Sequence, residues 1–457
     1  MSEGAASILP ESVFAGRRYA VLGLARTGLA TICALCNAGA SVIAWDRSED
    51  ARSAARDMTA AKAGEARGRC ELAELTAESV RGCNGIVVSP GVPINRHPIA
   101  DVARAAGVPL IGDIELFAQA RLALPPHRVI GITGTNGKST TTALIHHLLE
   151  SAGHDARLGG NIGVPVLSTE PLPAGGVYVL ELSSYQIDLT RSLACDVAIL
   201  LNLSPDHLDR YDEGFAGYAA SKARLFQMQR GQGLAIVDRA TLTNIGSVAR
   251  AFDSRAPVVI EDVSVPGDQC DWPALQGPHN LGNAAAAAAA VRRIGLTDAE
   301  IEAGLKSFPG LPHRMERVAT IDGVLFVNDS KATNPASAAP ALAAFAPQNH
   351  GPRIHWIVGG LPKGDTLAEM EAHLGNVAAA YTIGESGVMF AQLLEGRVPH
   401  VTRSELMAEA VRAAAAAARP GDVVLLSPAC ASFDQFRDYE KRGEAFASMV
   451  HSLGEAA

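Results

Sequence analysis

The densest chemistry in the chain lies in Gly131-Ile-Thr-Gly-Thr-Asn-Gly-Lys-Ser-Thr140, between an apolar run at 128–133 and a helical pattern at 141–150. Glycines let backbone N–H groups converge on phosphate oxygens, and the positive end of the following helix adds to their pull. Lys138 is placed to reach the β- and γ-phosphates and Ser139 to ligate Mg²⁺. The spacing predicts a nucleoside triphosphate site. The strict pattern G-x-x-x-x-G-K-[ST] requires glycine at position 132, where this chain has Ile132, so the loop is a variant. A plain strand-to-helix turn does not account for a Lys-Ser pair directly after Gly137.

Magnesium needs hard oxygen ligands. Glu181 stands at the end of an apolar run at 177–182, where α/β sheets place ligand-binding residues. A buried capping carboxylate is the alternative for that position. Asn202-Leu-Ser-Pro-Asp-His-Leu-Asp-Arg-Tyr211 then gathers two aspartates and His207 at another strand end of the same sheet. A lone histidine is more often structural, and the shared strand-end placement is what singles this one out.

These residues need a parallel sheet to hold them. Strands are expected at 128–133, 177–182 and 197–202, alternating with helices as in a doubly wound domain. Before them, 19–22, a glycine turn at 23–28, a helix at 29–38 and a strand at 41–45 form a βαβ unit, with further strands at 85–89 and 108–111. Two prolines and a glycine in 308–314 mark a linker. Beyond it strands at 324–328, 354–358 and 423–427 again read as parallel. The alanine runs 284–290 and 413–418 read as buried helices, since alanine is the best helix former and permits close packing. The expected fold is α/β in three domains: Rossmann-like at 1–116, P-loop ATPase-like and doubly wound at 117–310, and Rossmann-like at 311–457.

Composition narrows the classes. The 457 residues are 48% hydrophobic and 19% charged, which suits several globular domains and excludes global disorder. A net charge of −9 argues against a general nucleic-acid binder. No apolar run approaches the roughly 20 residues that cross a bilayer, and the start has no signal-peptide character, so a cytoplasmic protein without a membrane partner is expected. Seven scattered cysteines do not make a disulfide framework. Cys33 and Cys36 lie in an apolar helical stretch with no second pair to complete a zinc site, so they read as core.

T-G-T-N-G-K-S-T at 133–140, G-G-N-I-G at 159–163, L-E-L-S-S-Y-Q at 180–186 and N-L-S-P-D-H-L-D-R-Y at 202–211 resemble the Mur ligases. So do G-P-H-N-L-G-N at 277–283, L-P-H-R-M-E at 311–316 and D-S-K-A-T-N-P at 329–335. These enzymes form amide bonds of the bacterial cell-wall precursor at the expense of ATP. D-S-K-A-T-N-P and L-S-P-A-C-A-S-F-D-Q-F at 426–436 are similar to the branch that adds D-glutamate, and the D-N-P-R of the diaminopimelate-adding branch is absent. The resemblance implies a monomer acting on UDP-N-acetylmuramoyl-L-alanine and D-glutamate, with ATP and two magnesium ions.

It also implies roles. Gly134, Thr135, Asn136, Gly137, Lys138, Ser139 and Thr140 hold phosphates, and Asn283, Arg314 and Asp329 hold adenine and ribose. Ser139 and Glu181 serve one ion and His207 the other. Lys222 matches a carbamylated lysine, a modification that turns a cation into an anionic oxygen ligand; an unmodified lysine is the alternative. Lys138, His207 and Lys222 form the catalytic set. Thr333, Lys363, Ser432 and Tyr439 take D-glutamate, Tyr439 standing where phenylalanine is more familiar. Leu24, Arg26, Thr27, Asp46, Arg47, Gly91 and Asn161 take the UDP substrate. A dinucleotide reading of the first turn fails on Ala25, which replaces the second glycine of G-x-G-x-x-G. A folylpolyglutamate-type ligase would lack the UDP-binding domain at 1–117, and a nucleotide-hydrolysing regulator would not need Lys222 and His207.

Overall fold

In a computed structural model the described residues are 8–61, 68–252, 256–348, 351–362 and 364–455. They form three sheets in two compact units, Met1–Pro266 with Gly282–Gly304, and Gly267–Leu281 with Leu305–Ala457.

The first unit holds two sheets. One comprises β1 (Arg18–Leu22), β2 (Ser41–Trp45), β3 (Cys70–Leu72), β4 (Gly85–Val88) and β5 (Leu110–Ile111), all parallel in the order β3-β2-β1-β4-β5. The helix after β1 starts at Arg26, three residues before the apolar pattern sets in, and ends at Asn37. Its Cys36 is buried, whereas Cys33 is only half-buried, its Sγ 3.1 Å from Met58 Sδ.

The other sheet comprises β6 (Arg128–Thr133), β7 (Ala156–Gly160), β8 (Val177–Glu181), β9 (Val197–Leu200), β10 (Leu234–Val237) and β11 (Val258–Val259), parallel in the order β11-β10-β9-β6-β8-β7. Strands β9, β6 and β8 are buried along their whole length except at Arg128. Runs with both faces covered have no polar alternation, which is why they read clearly as strands. Pairing of Ile132 with Glu181 and of Thr133 with Leu200 brings three strand ends into one row. Helix Pro278–Ile294 lies against this unit through Ala284, Ala286, Ala287, Ala288 and Ala290, all inaccessible to solvent.

The second unit is built on β12 (Glu316–Ile321), β13 (Val324–Asn328), β14 (Ile354–Gly359), β15 (Val377–Ile383), β16 (His400–Glu405) and β17 (Val423–Leu426), in the order β12-β13-β17-β14-β15-β16. The three expected strands, β13, β14 and β17, are parallel, but the sheet also holds β12, which was not expected and runs antiparallel to β13. The reason is a two-residue turn at Asp322-Gly323, with φ of 50° and 77°, the left-handed pair that a tight hairpin requires. Among the described residues no helix is long and apolar enough to cross a membrane.

Candidate active site

The glycine loop leaves β6 at Thr133 and enters helix Lys138–Ser151 at Lys138. Gly137 caps that helix at φ 82°, and a Cβ there would stand 2.5 Å from Asn283 Oδ1, so conformation and space both demand glycine. Among the described residues no side chain caps the helix start, and the positive end of the helix faces the loop. The loop is clamped to the end of β9 by a reciprocal pair: Asn136 N donates to Asn202 Oδ1 at 2.8 Å and Asn202 Nδ2 donates to Asn136 O at 3.1 Å. Thr135 Oγ1 donates to Ser204 O and lies 3.2 Å from Tyr218 OH. Lys138 Nζ folds back onto the carbonyls of Gly134 and Thr135 at 2.9 and 2.8 Å. Buried Asn283 accepts from Thr141 Oγ1 at 3.2 Å, which holds it against the helix start beside this loop. Ser139 is buried in the first turn, and Thr140 follows it.

Beside the loop, Glu181 is buried at the end of β8. Its Oε1 accepts from Asn161 Nδ2 at 3.0 Å, and Asn161 N donates to its carbonyl, whereas Oε2 is buried without a hydrogen-bond partner. Lys222, on helix Phe215–Gln227, is buried; its Nζ donates to Thr133 Oγ1 at 3.1 Å and lies 4.8 Å from the Tyr218 ring centre. No described carboxylate lies within ion-pair distance of it. Burial first, and the Lys138 charge second, hold the amine well below its ordinary pKa, against the pull of Asp206, Glu181 and Asp188. His207 sits at φ 51° with its ring 5.3 Å from that of Tyr185. Partial burial lowers its pKa; Asp206 opposes this, and Lys138, Lys222 and Arg210 add to it. Among the described residues no three His, Cys, Asp or Glu side chains could hold a metal by themselves.

The first-sheet candidates gather at the carboxyl ends of β1, β2 and β4. Asp46 closes the turn, accepting from Leu24 N at 2.7 Å and Ser48 N at 2.9 Å. Gly28 is required because a Cβ there would stand 1.9 Å from Gly23 O. Arg26 and Thr27 open a helix whose N-cap, Ala25, has no capping side chain. Arg47 and Gly91 are exposed nearby on the loops after β2 and β4. Asn95 Nδ2 donates to Asp209 O and Arg210 Nη1 to Val92 O, so the β4 loop meets the segment that carries His207.

In the second unit Asp329, at the end of β13, accepts from Met315 N at 3.2 Å and from Ser427 Oγ at 2.8 Å. Burial pushes its pKa up to about 7, with the Ser427 and Met315 hydrogen bonds and the Arg314 charge opposing. Thr333 is half-buried in the loop after β13 and Ser432 is buried in the loop after β17. Tyr439 OH accepts from Lys331 Nζ at 2.7 Å. Lys363 lies outside the described residues. Sequence reasoning missed Asn202, although its motif was legible, because nothing local says that it braces another loop. It also missed Arg442, fully buried and bonded to Ser330 Oγ, Ser330 O, Cys430 O and Ala431 O. A single arginine in an amphipathic helix gives no such signal.

Three family models match in chain order: Mur ligase MurD-like, N-terminal domain, at residues 17–112; Mur ligase middle domain at 132–245; and Mur ligase, glutamate ligase domain, at 313–430. The chain belongs to the Mur ligase family. It is 61% identical over 445 residues to the UDP-N-acetylmuramoylalanine--D-glutamate ligase of Novosphingobium aromaticivorans, spanning 97% of this chain and 96% of that one. To the ligase of the same name from Sphingopyxis alaskensis it is 57% identical, over 98% of this chain and 100% of the other. The crystal structure of UDP-N-acetylmuramate-alanine ligase MurC from Thermotoga maritima shares the fold, with a TM-score of 0.55 at 16% identity over 95% of this chain and 99% of that one.

Proposed function

We propose that this chain joins the amine of D-glutamate to the L-alanyl carboxyl of UDP-N-acetylmuramoyl-L-alanine, converting ATP to ADP and phosphate. The observation that carries the reading is the 61% identity to a relative of that name across 97% of the chain, the first sheet included. A carboxylate is a poor acylating agent, so its oxygen first takes the γ-phosphoryl group as the bond to ADP breaks. The amine nitrogen of D-glutamate then attacks the acyl carbon, phosphate leaves, and the nitrogen loses a proton.

The residues divide that work. The loop 134–140 and Lys138 orient the phosphates and meet charge growing on the transferred group. Asn283, Arg314 and Asp329 hold adenine and ribose. Leu24, Arg26, Thr27, Asp46, Arg47 and Gly91 hold the UDP moiety, with Asn161 nearer the reacting end. Thr333, Lys363, Ser432 and Tyr439 orient D-glutamate. Magnesium fits the residues present, since the unpartnered Glu181 Oε2 and the buried Ser139 hydroxyl are hard oxygens. We assign one ion to Ser139 and Glu181 and a second to His207 and Lys222; when bound, they neutralise phosphate oxygens. A buried amine whose pKa is held well below its ordinary value gives up its proton more readily, and an unprotonated amine can add to carbon dioxide and lose a proton, which supports a carbamate on Lys222. The division into 1–116, 117–310 and 311–457 follows these roles.

Phosphate release from ATP tests the reading, with UDP-N-acetylmuramoyl-L-alanine present and D-glutamate, L-glutamate and meso-diaminopimelate supplied in turn. Turnover with D-glutamate alone is expected. Equal or faster turnover with either other amino acid, or none with any, overturns it.

A further inference from the structure

At the end of the second sheet opposite the glycine loop, a cavity of about 380 Å³ opens between the starts of β6, β9 and β10 and the end of helix Pro278–Ile294. Arg128, Arg230 and Arg293 line it, and Asp196 is its single acid. That acid is already served: Asp196 Oδ2 accepts from Val129 N at 2.8 Å and from Arg121 Nη2 at 3.4 Å. Arg128 Nη1 donates to the carbonyls of Arg293 and Ile294 at 3.2 and 3.1 Å, answering the negative end of the helix. Arg293 has one long bond, Nη2 to Gln232 O at 3.4 Å. Arg230 is exposed and makes no hydrogen bond or ion pair with any described residue.

Three arginines from separate parts of the chain thus line one cavity, two of them almost uncommitted among the described residues, in a chain whose net charge is −9. Like charges held together repel unless a counter-charge joins them. We propose that this cavity is a second anion site that takes a compact phosphate-bearing ligand of at least two negative charges. Guanidinium forks match phosphate oxygens bidentately, and a tetrahedral phosphate offers several arginines more oxygens than a planar carboxylate does. The cavity is at the small end of ligand-site volumes and offers little apolar surface, which argues against a nucleoside.

Inorganic pyrophosphate is the probe, titrated calorimetrically into four proteins: wild type, Lys138→Ala, Arg230→Gln/Arg293→Gln, and all three substitutions together. Lys138→Ala weakens the glycine loop's share of binding, and glutamine keeps the first three side-chain carbons of each arginine and a polar end while removing its charge. Pyrophosphate is expected to bind Lys138→Ala and to bind the triple variant at least about tenfold more weakly, with unchanged circular dichroism. Loss of all binding in Lys138→Ala, equal affinity in the triple variant, or malonate binding as tightly as pyrophosphate overturns the assignment.

Discussion

Asp329→Asn should make the second unit more stable above neutral pH, although the substitution removes a side chain assigned to nucleotide binding. The carboxyl is buried, and its two acceptor bonds come from Met315 N and Ser427 Oγ. Asparagine keeps the first through Oδ1, and the Ser427 hydroxyl can turn to accept from Nδ2. What disappears is the cost of ionisation in the fold. The unfolded chain releases this proton near 3.8 and the folded chain near 7. Across that window the native state keeps a proton that the unfolded state has lost, so wild-type stability falls as pH rises and is flat above it. At about 1.4 kcal/mol per pKa unit, the ceiling is on the order of 4 kcal/mol at pH 8, vanishing towards pH 4. Urea unfolding of both proteins from pH 4 to 8 measures the difference, read by fluorescence in a Trp45→Phe background. Trp356 is the natural reporter, because its Nε1 donates to Ser427 O. A variant-minus-wild-type difference that does not grow with pH refutes the reasoning.

Lys138→Ala should cut ligation by about 10²–10³-fold at saturating ATP with the fold intact, measured by phosphate release; activity within threefold of wild type would be about 0.7 kcal/mol and would sink the loop's role. Lys222→Ala should abolish activity that short carboxylic acids partly restore, and labelled bicarbonate should mark the wild-type lysine; active enzyme without that label contradicts the carbamate. Gly137→Ala should weaken nucleotide binding, measured by calorimetry. The new Cβ costs about 1–2 kcal/mol at positive φ and displaces Asn283; unchanged ATP affinity would show that the loop tolerates another path.

Strands β2, β6 and β13 were legible to the residue because they are apolar runs bounded by turns. Others were not, and each has its own reason. Edge strand β16 reads His-Val-Thr-Arg-Ser-Glu and buries none of these side chains fully, so it lacks the apolar run that marks a strand. The alanine-rich β15 lies inside the sheet, where its environment and not its propensity selects the extended form. The Asp322-Gly323 turn was readable, and attention to it would have given β12 its antiparallel sense. The glycine loop was legible as a strand-to-helix turn because its glycines and the Lys-Ser pair stand at fixed spacing between two apolar patterns. Asn202 and Arg442 were not, since bracing a distant loop needs only a polar group at a place that the fold alone defines.

The first unit concentrates its unfavourable features at one end of one sheet. Among the described residues Glu181 Oε2 is buried without a hydrogen-bond partner, Lys222 is a buried amine with no carboxylate within ion-pair distance, and no side chain caps the start of helix Lys138–Ser151. Each lowers stability, and a sequence selected for stability alone would replace all three. Their needs are complementary to one kind of guest. On the proposed reading a magnesium–triphosphate would offer a cation to Glu181 and phosphate oxygens to the helix start, and a carbamate would convert Lys222 from a stranded base into an oxygen donor. Features that cost the empty fold therefore add to binding, because a ligand that satisfies them stabilises the native state in proportion to its affinity.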